Sequence, residues 1–146
     1  MNARADYYNA SPDAMKAMMA LEVAVKKLGL EPSLLELVKL RASQINGCAF
    51  CVDMHSSDAR KAGETERRLH AVSVWRETPF FSARERAALA WTEALTNLPT
   101  THAPDADYEL VKAHFSDKEQ VDLTLAIGTI NAWNRFGVGF RVMPAQ

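Results

Sequence analysis

The chain has few residues that interrupt or cross-link a polypeptide: two cysteines, six glycines and six prolines among 146 residues. Two cysteines three positions apart cannot frame a secreted, disulfide-stapled scaffold. So close a pair points instead to redox catalysis or metal binding in a reducing compartment. No charge of either sign dominates. Seventeen basic and 18 acidic side chains leave a net charge of −1, which removes the electrostatic basis for a nucleic-acid or anionic-membrane partner. The opening MNARADYYNASPD lacks the basic start and short apolar run of a secretory signal. No stretch approaches the roughly 18 to 20 apolar residues of a membrane span. These absences predict a cytoplasmic protein with no membrane partner, acting on a small molecule or another protein.

What remains is ordinary globular material. Hydrophobic residues make up 48% and charged residues 24% of the chain, close to the averages for folded domains. A chain of this length buries roughly 68 to 70% of its unfolded surface. With no repeat, low-complexity tract or linker to divide it, residues 1–146 are expected to form a single domain.

Helix punctuation is frequent. Ser11-Pro12-Asp13 opens a helix over about 12–28, with Gly29 as its stop. Glu31-Pro32 opens a second, which carries Leu34, Leu37, Val38 and Ile45 at helical spacing until Asn46-Gly47 bends the chain. A third runs from about Cys48 to Gly63 and a fourth from Thr65 to Arg76, closed by Thr78-Pro79. Ser82 with Glu85, and Ser116 with Glu119, are capping-box patterns that open helices reaching about Leu98 and Phe136. Between them lie a loop over 99–104 and a short helix over about 105–114. The expectation is an all-α domain of about seven helices. The last helix is apolar around much of its circumference, from Val121, Leu123 and Leu125 to Ile127, Ile130 and Trp133, which predicts burial on several sides and a subunit interface.

The chemistry gathers in Cys48-Ala49-Phe50-Cys51-Val52-Asp53-Met54-His55. At 100° per residue Cys51 lies 60° around the helix from Cys48, and His55 falls between the two directions. The spacing of i and i+3 neighbours brings the sulfurs within reach of a reversible disulfide after a modest adjustment. A thiol attacks only as thiolate. Here the positive end of a helix lies beside both cysteines, and His55, one turn after Cys51, can share a proton. A thiolate that attacks a peroxide becomes a sulfenic acid, which a second thiol three residues away can capture as a disulfide. Zinc is the competing reading. A structural zinc wants four ligands, and Cys48, Cys51 and His55 supply three, with no second C-x-x-C to complete the set. No metal and no cofactor is therefore assigned.

The run from Glu36 to His55, ELVKLRASQINGCAFCVDMH, resembles the core of the alkylhydroperoxidase D family, within the carboxymuconolactone decarboxylase-like superfamily. The spacing E-x11-C-x2-C-x3-H carries the resemblance, and Ile130-Asn131-Ala132-Trp133-Asn134-Arg135 is similar to that family's last core helix. Together they cover roughly residues 20–140. The resemblance implies an all-helical fold with the C-x-x-C at a helix N-terminus, homo-oligomers from trimer to hexamer, and a hydroperoxide substrate reduced at the expense of a thiol or dithiol donor. By the same resemblance Cys51 is the peroxidatic residue, Cys48 the resolving one, and His55 with Glu36 forms a water-linked proton relay. Glu36 rests on the resemblance alone. Phe50 stands where the founding peroxidases carry a further relay histidine, and a phenyl ring cannot carry a proton.

Two other readings stay open: a non-enzymatic redox or metal sensor, and a lyase like the superfamily's lactone decarboxylases, which work without the thiol pair. The remaining candidates are assigned no role. His70, His102 and His114 have no partner at ligand spacing and are read as surface residues. Trp75, Trp91 and Trp133 are read as core. Phe50 and Met54 fall on the side of their helix away from the thiols and are expected to pack against another subunit.

Overall fold

The computed structural model describes residues 2–146, and among these the regular structure is helical throughout. The helices are α1 (Tyr7–Ala10), α2 (Pro12–Lys27), α3 (Pro32–Asn46), α4 (Ala49–Lys61), α5 (Glu66–Ala71), α6 (Ala83–Thr96), α7 (Leu98–Thr101), α8 (Asp105–His114) and α9 (Asp117–Gly139). No helix among the described residues is long and apolar enough to cross a membrane.

Most boundaries fall where the punctuation places them. Proline occupies the first turn of α2 and α3, and Gly47 ends α3 in the left-handed conformation with φ 68°. Both capping boxes form, at Ser82 with Glu85 and at Ser116 with Glu119. Two short helices are additional to the expected set. α1 is capped by the Asp6 carboxylate, which accepts from Asn9 N–H, and α7 starts with Pro99 in its first turn inside the segment expected to be a loop. The helix expected over Thr65–Arg76 is instead two pieces: α5 gives way to a 3-10 segment, Val72–Glu77, with non-helical φ and ψ at Val74. Two β-branched valines in that stretch, Val72 and Val74, lower the local helical preference.

α3 is the centre of the domain, packed against α4, α6 and α9. One core cluster sets Leu34, Leu35 and Val38 of α3 against Ala87, Ala88 and Trp91 of α6 and Leu123, Ala126 and Ile127 of α9. The second sets Leu37 and Leu40 against Ala59, Leu69, Val72, Trp75 and Leu89. α3 therefore buries opposite sides in two cores, and its remaining face carries the polar groups of the site. The expected all-round burial of α9 is only partly met within one chain. Leu123, Ala126, Ile127 and Ile130 are buried, whereas Val121 and Leu125 are exposed.

Arginine–glutamate pairs tie the helix starts together. Arg84 bonds Glu31, ahead of α3, at 2.9 and 3.0 Å, and also reaches Glu119 at the start of α9. Those hydrogen bonds hold both carboxyls below the ordinary range. Burial pushes Glu85 up, but the Arg68 hydrogen bond and those from Ser82 outweigh it, and it too titrates low. A carboxylate whose folded pKa is depressed contributes stability that is complete above its unfolded value, about 4.3, and is lost as pH falls through the folded value. The thermal midpoint is thus expected to be flat from about pH 8 to 5 and to drop below about pH 4. Arg84→Gln should lower the plateau and flatten the acid limb in a series of melts against pH.

Candidate functional site

The corner between α3 and α4 places the cysteines. After Gly47 reverses the chain, Cys48 becomes the N-cap of α4, its N–H bonded to Ser43 O at 3.0 Å and its Sγ accepting from Cys51 N–H at 3.3 Å. Cys48 and Cys51 are joined as a disulfide with Cα atoms 5.3 Å apart. The corner is fixed from behind by α9. Asn46 Nδ2 donates to Asn134 Oδ1 at 2.9 Å and to Asn131 Oδ1 at 3.0 Å, and Asn134 Nδ2 donates to Ser43 Oγ at 3.0 Å. Asn134 is buried, so this amide chain is held in one arrangement by its partners and its packing.

Both cysteines are buried, Cys48 1% and Cys51 3% exposed, and they differ in what they face. Cys48 lies beneath α9, where a Cβ added to Gly137 would come within 2.6 Å of its Sγ and 3.4 Å of Cys51 Sγ. Cys51 borders a cavity of about 270 Å³, and Cys48 does not. Along the cavity wall His55 Nδ1–H donates to Glu36 Oε2 at 3.2 Å. With Nδ1 committed to a carboxylate, Nε2 is the nitrogen left to take or give a proton. Glu36 thus reaches His55 directly. The reason is the crossing of α3 over α4, which puts the polar face of α3 opposite the thiol face of α4.

Six cavity residues went unnoticed in the sequence or were assigned elsewhere. Lys39, 4% exposed, donates through Nζ to Glu22 Oε1 at 2.8 Å and lies 3.9 Å from Glu36 Oε1. Glu22 Oε2 also accepts from Trp133 Nε1 at 3.2 Å, so Trp133 is a cavity residue and not simply core. Burial pushes the Glu22 carboxyl up, but the hydrogen bond and charge of Lys39, aided by Trp133, hold it below the ordinary range. Phe50 and Met54 line the same cavity as Cys51 and His55 and do not face away from the thiols. Each directly precedes a site residue, 100° around the helix, and a cavity this wide takes in both directions. Tyr7, on the unexpected α1, packs on Phe136 and Phe140 at 5.3 and 5.5 Å and completes the rim.

The other histidines stay apart from the site: His70, His102 and His114 are exposed, with His70 Nε2 3.4 Å from Glu66 on its own helix. Trp75 and Trp91 are buried, bonded to Glu93 and Thr124. For a metal, the available set among the described residues is Glu36, His55 and Asp58, whose ligand atoms lie within 4.8 Å of one another. This is an oxygen-rich group that suits a hard cation better than the thiolate-rich set of a structural zinc.

The model of the carboxymuconolactone decarboxylase family matches residues 12–94, more than half of the chain. The chain belongs to this family. It is 45% identical over 138 residues to the uncharacterized protein YdfG of Bacillus subtilis, covering 94% of each. It is also 36% identical over 121 residues to the uncharacterized protein YnjA of Escherichia coli, covering 83% of this chain and 65% of that one. Among solved structures, an Agrobacterium tumefaciens protein of unknown function, described as a candidate AhpD antioxidant-defence protein, superposes with a TM-score of 0.97. It is 51% identical and covers 99% of both chains. The debrominase Bmp8 shares the fold at a TM-score of 0.85 with 19% identity, over 94% of this chain and 74% of its own. The alkylhydroperoxidase D-like all-helical fold expected from the E-x11-C-x2-C-x3-H run is therefore the fold of this family member.

Proposed function

We propose that this family member is a thiol-dependent peroxidase. The observation that carries the reading is the asymmetry of the disulfide. One sulfur, Cys51, borders a cavity that also holds the His55–Glu36 pair, and its partner Cys48 is sealed behind it.

In the reduced protein the Cys51 thiol passes its proton to His55 Nε2, and the thiolate attacks one peroxide oxygen. The S–O bond forms as the O–O bond breaks, and the departing alkoxide or hydroxide takes a proton from His55 Nε2. Cys51 is then a sulfenic acid. The Cys48 thiol attacks its sulfur, the hydroxyl leaves as water and the disulfide closes. Two thiols of an external donor reopen it through a mixed disulfide. Cys51 is the sulfur they can reach, which leaves Cys48 to depart as a thiolate stabilised by the N-terminus of α4 and the Cys51 N–H. The net reaction converts one hydroperoxide and two thiols into an alcohol, water and a disulfide. The exposed Val121 and Leu125 on α9 support a homo-oligomer as the working form.

A metal-responsive role has one observation in its favour, the Glu36–His55–Asp58 group. A single experiment separates the two. Reduced protein is titrated for free thiols before and after one equivalent of hydrogen peroxide or cumene hydroperoxide, with and without manganese or zinc. The peroxidase reading requires two thiols lost per equivalent. Thiols that survive many equivalents for minutes, in a protein that retains manganese or zinc on desalting, would favour the metal reading.

A further inference from the structure

The cavity beside Cys51 combines a charged end with an apolar one. At the charged end, carboxylates from three helices, Glu22 of α2, Glu36 of α3 and Asp58 of α4, face two ammonium groups, Lys26 of α2 and Lys39 of α3. With His55 neutral the sum is −1. Around it lie Tyr7, Met19, Phe50, Met54 and the Trp133 ring.

The buried cation decides what such a cavity admits. Lys39 is the one lysine among the described residues that is buried, and its ammonium is spent on Glu22 at 2.8 Å, with Glu36 3.9 Å away. Glu22 is fixed as a carboxylate by two donors from different helices, Lys39 Nζ and Trp133 Nε1. A carboxylate entering the buried end finds its natural partner there, Lys39, already neutralised and Glu36 close by. The second cation, Lys26, is exposed and screened by water, so it is a weak partner. The entering carboxylate's water shell is not replaced, and a charge brought into a partly buried site without a partner is strongly disfavoured. An uncharged molecule incurs no such cost and gains contact with the aromatic and methionine wall.

We propose that Glu22 is the specificity-determining residue of this cavity: by cancelling the Lys39 charge, it admits uncharged, partly apolar molecules and turns away carboxylates. This rests on the cavity being the substrate site of the proposed peroxidase. The substrate class is then an uncharged organic hydroperoxide, with acids such as a fatty-acid hydroperoxide or a carboxylated lactone excluded. Glu22→Gln keeps the shape and an acceptor for Trp133, and releases the Lys39 ammonium to bind an incoming anion. Lys39→Met removes the cation and leaves Glu22 uncompensated. The two substitutions are expected to move selectivity in opposite directions.

The test measures binding, so that its outcome does not depend on peroxide chemistry. The probes are 2-phenyl-2-propanol, the alcohol formed from cumene hydroperoxide, and its 4-carboxylate, at about pH 8 where carboxylates are ionised. Each is titrated into the full-length oxidised protein while the Trp133 indole N–H is followed by NMR, with Trp133→Phe giving the assignment. The expected result is binding of the alcohol at least about tenfold tighter than the carboxylate, the size of effect one uncompensated charge produces in a partly buried site. The preference should vanish or reverse in Glu22→Gln and widen in Lys39→Met, with thermal melts confirming that each variant is folded. If Glu22→Gln does not fold, Lys39→Met alone decides the matter. Equal or tighter carboxylate binding in the wild type overturns the proposal. So does a ratio that no folded variant moves, or the absence of any response at Trp133. Failure of the peroxidase reading is separate: cumene hydroperoxide would leave the thiols intact while the binding preference held.

Discussion

Cys51→Ser is expected to keep its helical fold and lose thiol-dependent peroxide consumption entirely, whereas Cys48→Ser should react once and stop. The difference follows from access. Cys51 borders the cavity and lies one turn from His55, while Cys48 sits under α9 with its sulfur against Gly137. In the Cys48→Ser protein the attacking thiol is intact, so one equivalent of hydroperoxide should convert it to a sulfenic acid that no neighbour can capture. Dimedone labelling followed by mass spectrometry should find the adduct at Cys51 in that variant and almost none in the wild type, where the disulfide closes first. His55→Gln should be gentler. It leaves both thiols and removes a proton donor, which costs about 10² to 10⁴ in rate where general acid catalysis operates. An adduct at Cys48 in the Cys51→Ser protein would reverse the assignment, because it would mean that the sulfur beneath α9 is the one a peroxide reaches.

The asymmetry between the sulfurs could not be seen in the sequence, although the pair itself was plain. Cys48, Cys51 and His55 are related by local helical geometry, which depends only on spacing, and a capped helix start is written in the residues that make it. Glu36 is a different case. Nothing in α3 marks it, since on its own helix it is a polar residue off the apolar stripe, and only the family resemblance singled it out. Its partner lies 19 positions away across a helix crossing. Glu22, Lys39 and Trp133 needed still more. Their cluster joins three helices over sequence separations of 17 and 111 residues, and periodicity cannot assign such contacts. The nearest thing to a signal was Lys39 itself, three residues after Glu36 and only one position beyond Val38 in the apolar stripe. A lysine flanking a core-facing stripe ordinarily extends its ammonium to water, so the buried pair with Glu22 becomes visible only in the folded structure.

The boundaries show the same division. Capping boxes and helix-opening prolines located α2, α3, α6 and α9 because those signals are local and act on backbone groups that would otherwise go unbonded. α1 and α7, at four residues each, are too short for any periodicity to register. α1 matters for the site even so, since Tyr7 reaches the cavity rim only because that turn packs on Phe136 and Phe140. For α9 the apolar pattern was correctly recognised, but its Val121 and Leu125 edge has no cover within one chain. A pattern of apolar residues states that a surface wants burial and does not say what supplies it.

Gly137→Ala should weaken the disulfide while leaving the dithiol form nearly unaffected. Gly137 lies inside α9, where alanine is the better helix former by about 1 kcal/mol, so on backbone grounds alone the change would be stabilising. The contact reverses that sign. The added methyl would come within 2.6 Å of Cys48 Sγ, too close for any real pair of atoms, and within 3.4 Å of Cys51 Sγ. In the oxidised protein the Cys48 sulfur is bonded to Cys51 and cannot turn away. α9 cannot easily retreat either, because Asn134, one turn earlier, is tied to Ser43 and Asn46 at 3.0 and 2.9 Å. Once the bond is reduced, the Cys48 thiol is free to take another rotamer and the clash is relieved. Overpacking of this kind costs about 1 to 3 kcal/mol, and 1.4 kcal/mol is a factor of about ten in the exchange equilibrium. Equilibration against mixtures of reduced and oxidised dithiothreitol, with thiols counted after acid quench, should therefore place the variant about five- to 150-fold towards the dithiol. Thermal melts should agree: the oxidised variant should fall below the oxidised wild type, and the two reduced proteins should melt within a few degrees of each other. Equal destabilisation of both forms would mean that the methyl disturbs the packing of α9 as a whole, and that the missing side chain at 137 serves the fold and not the sulfur beneath it.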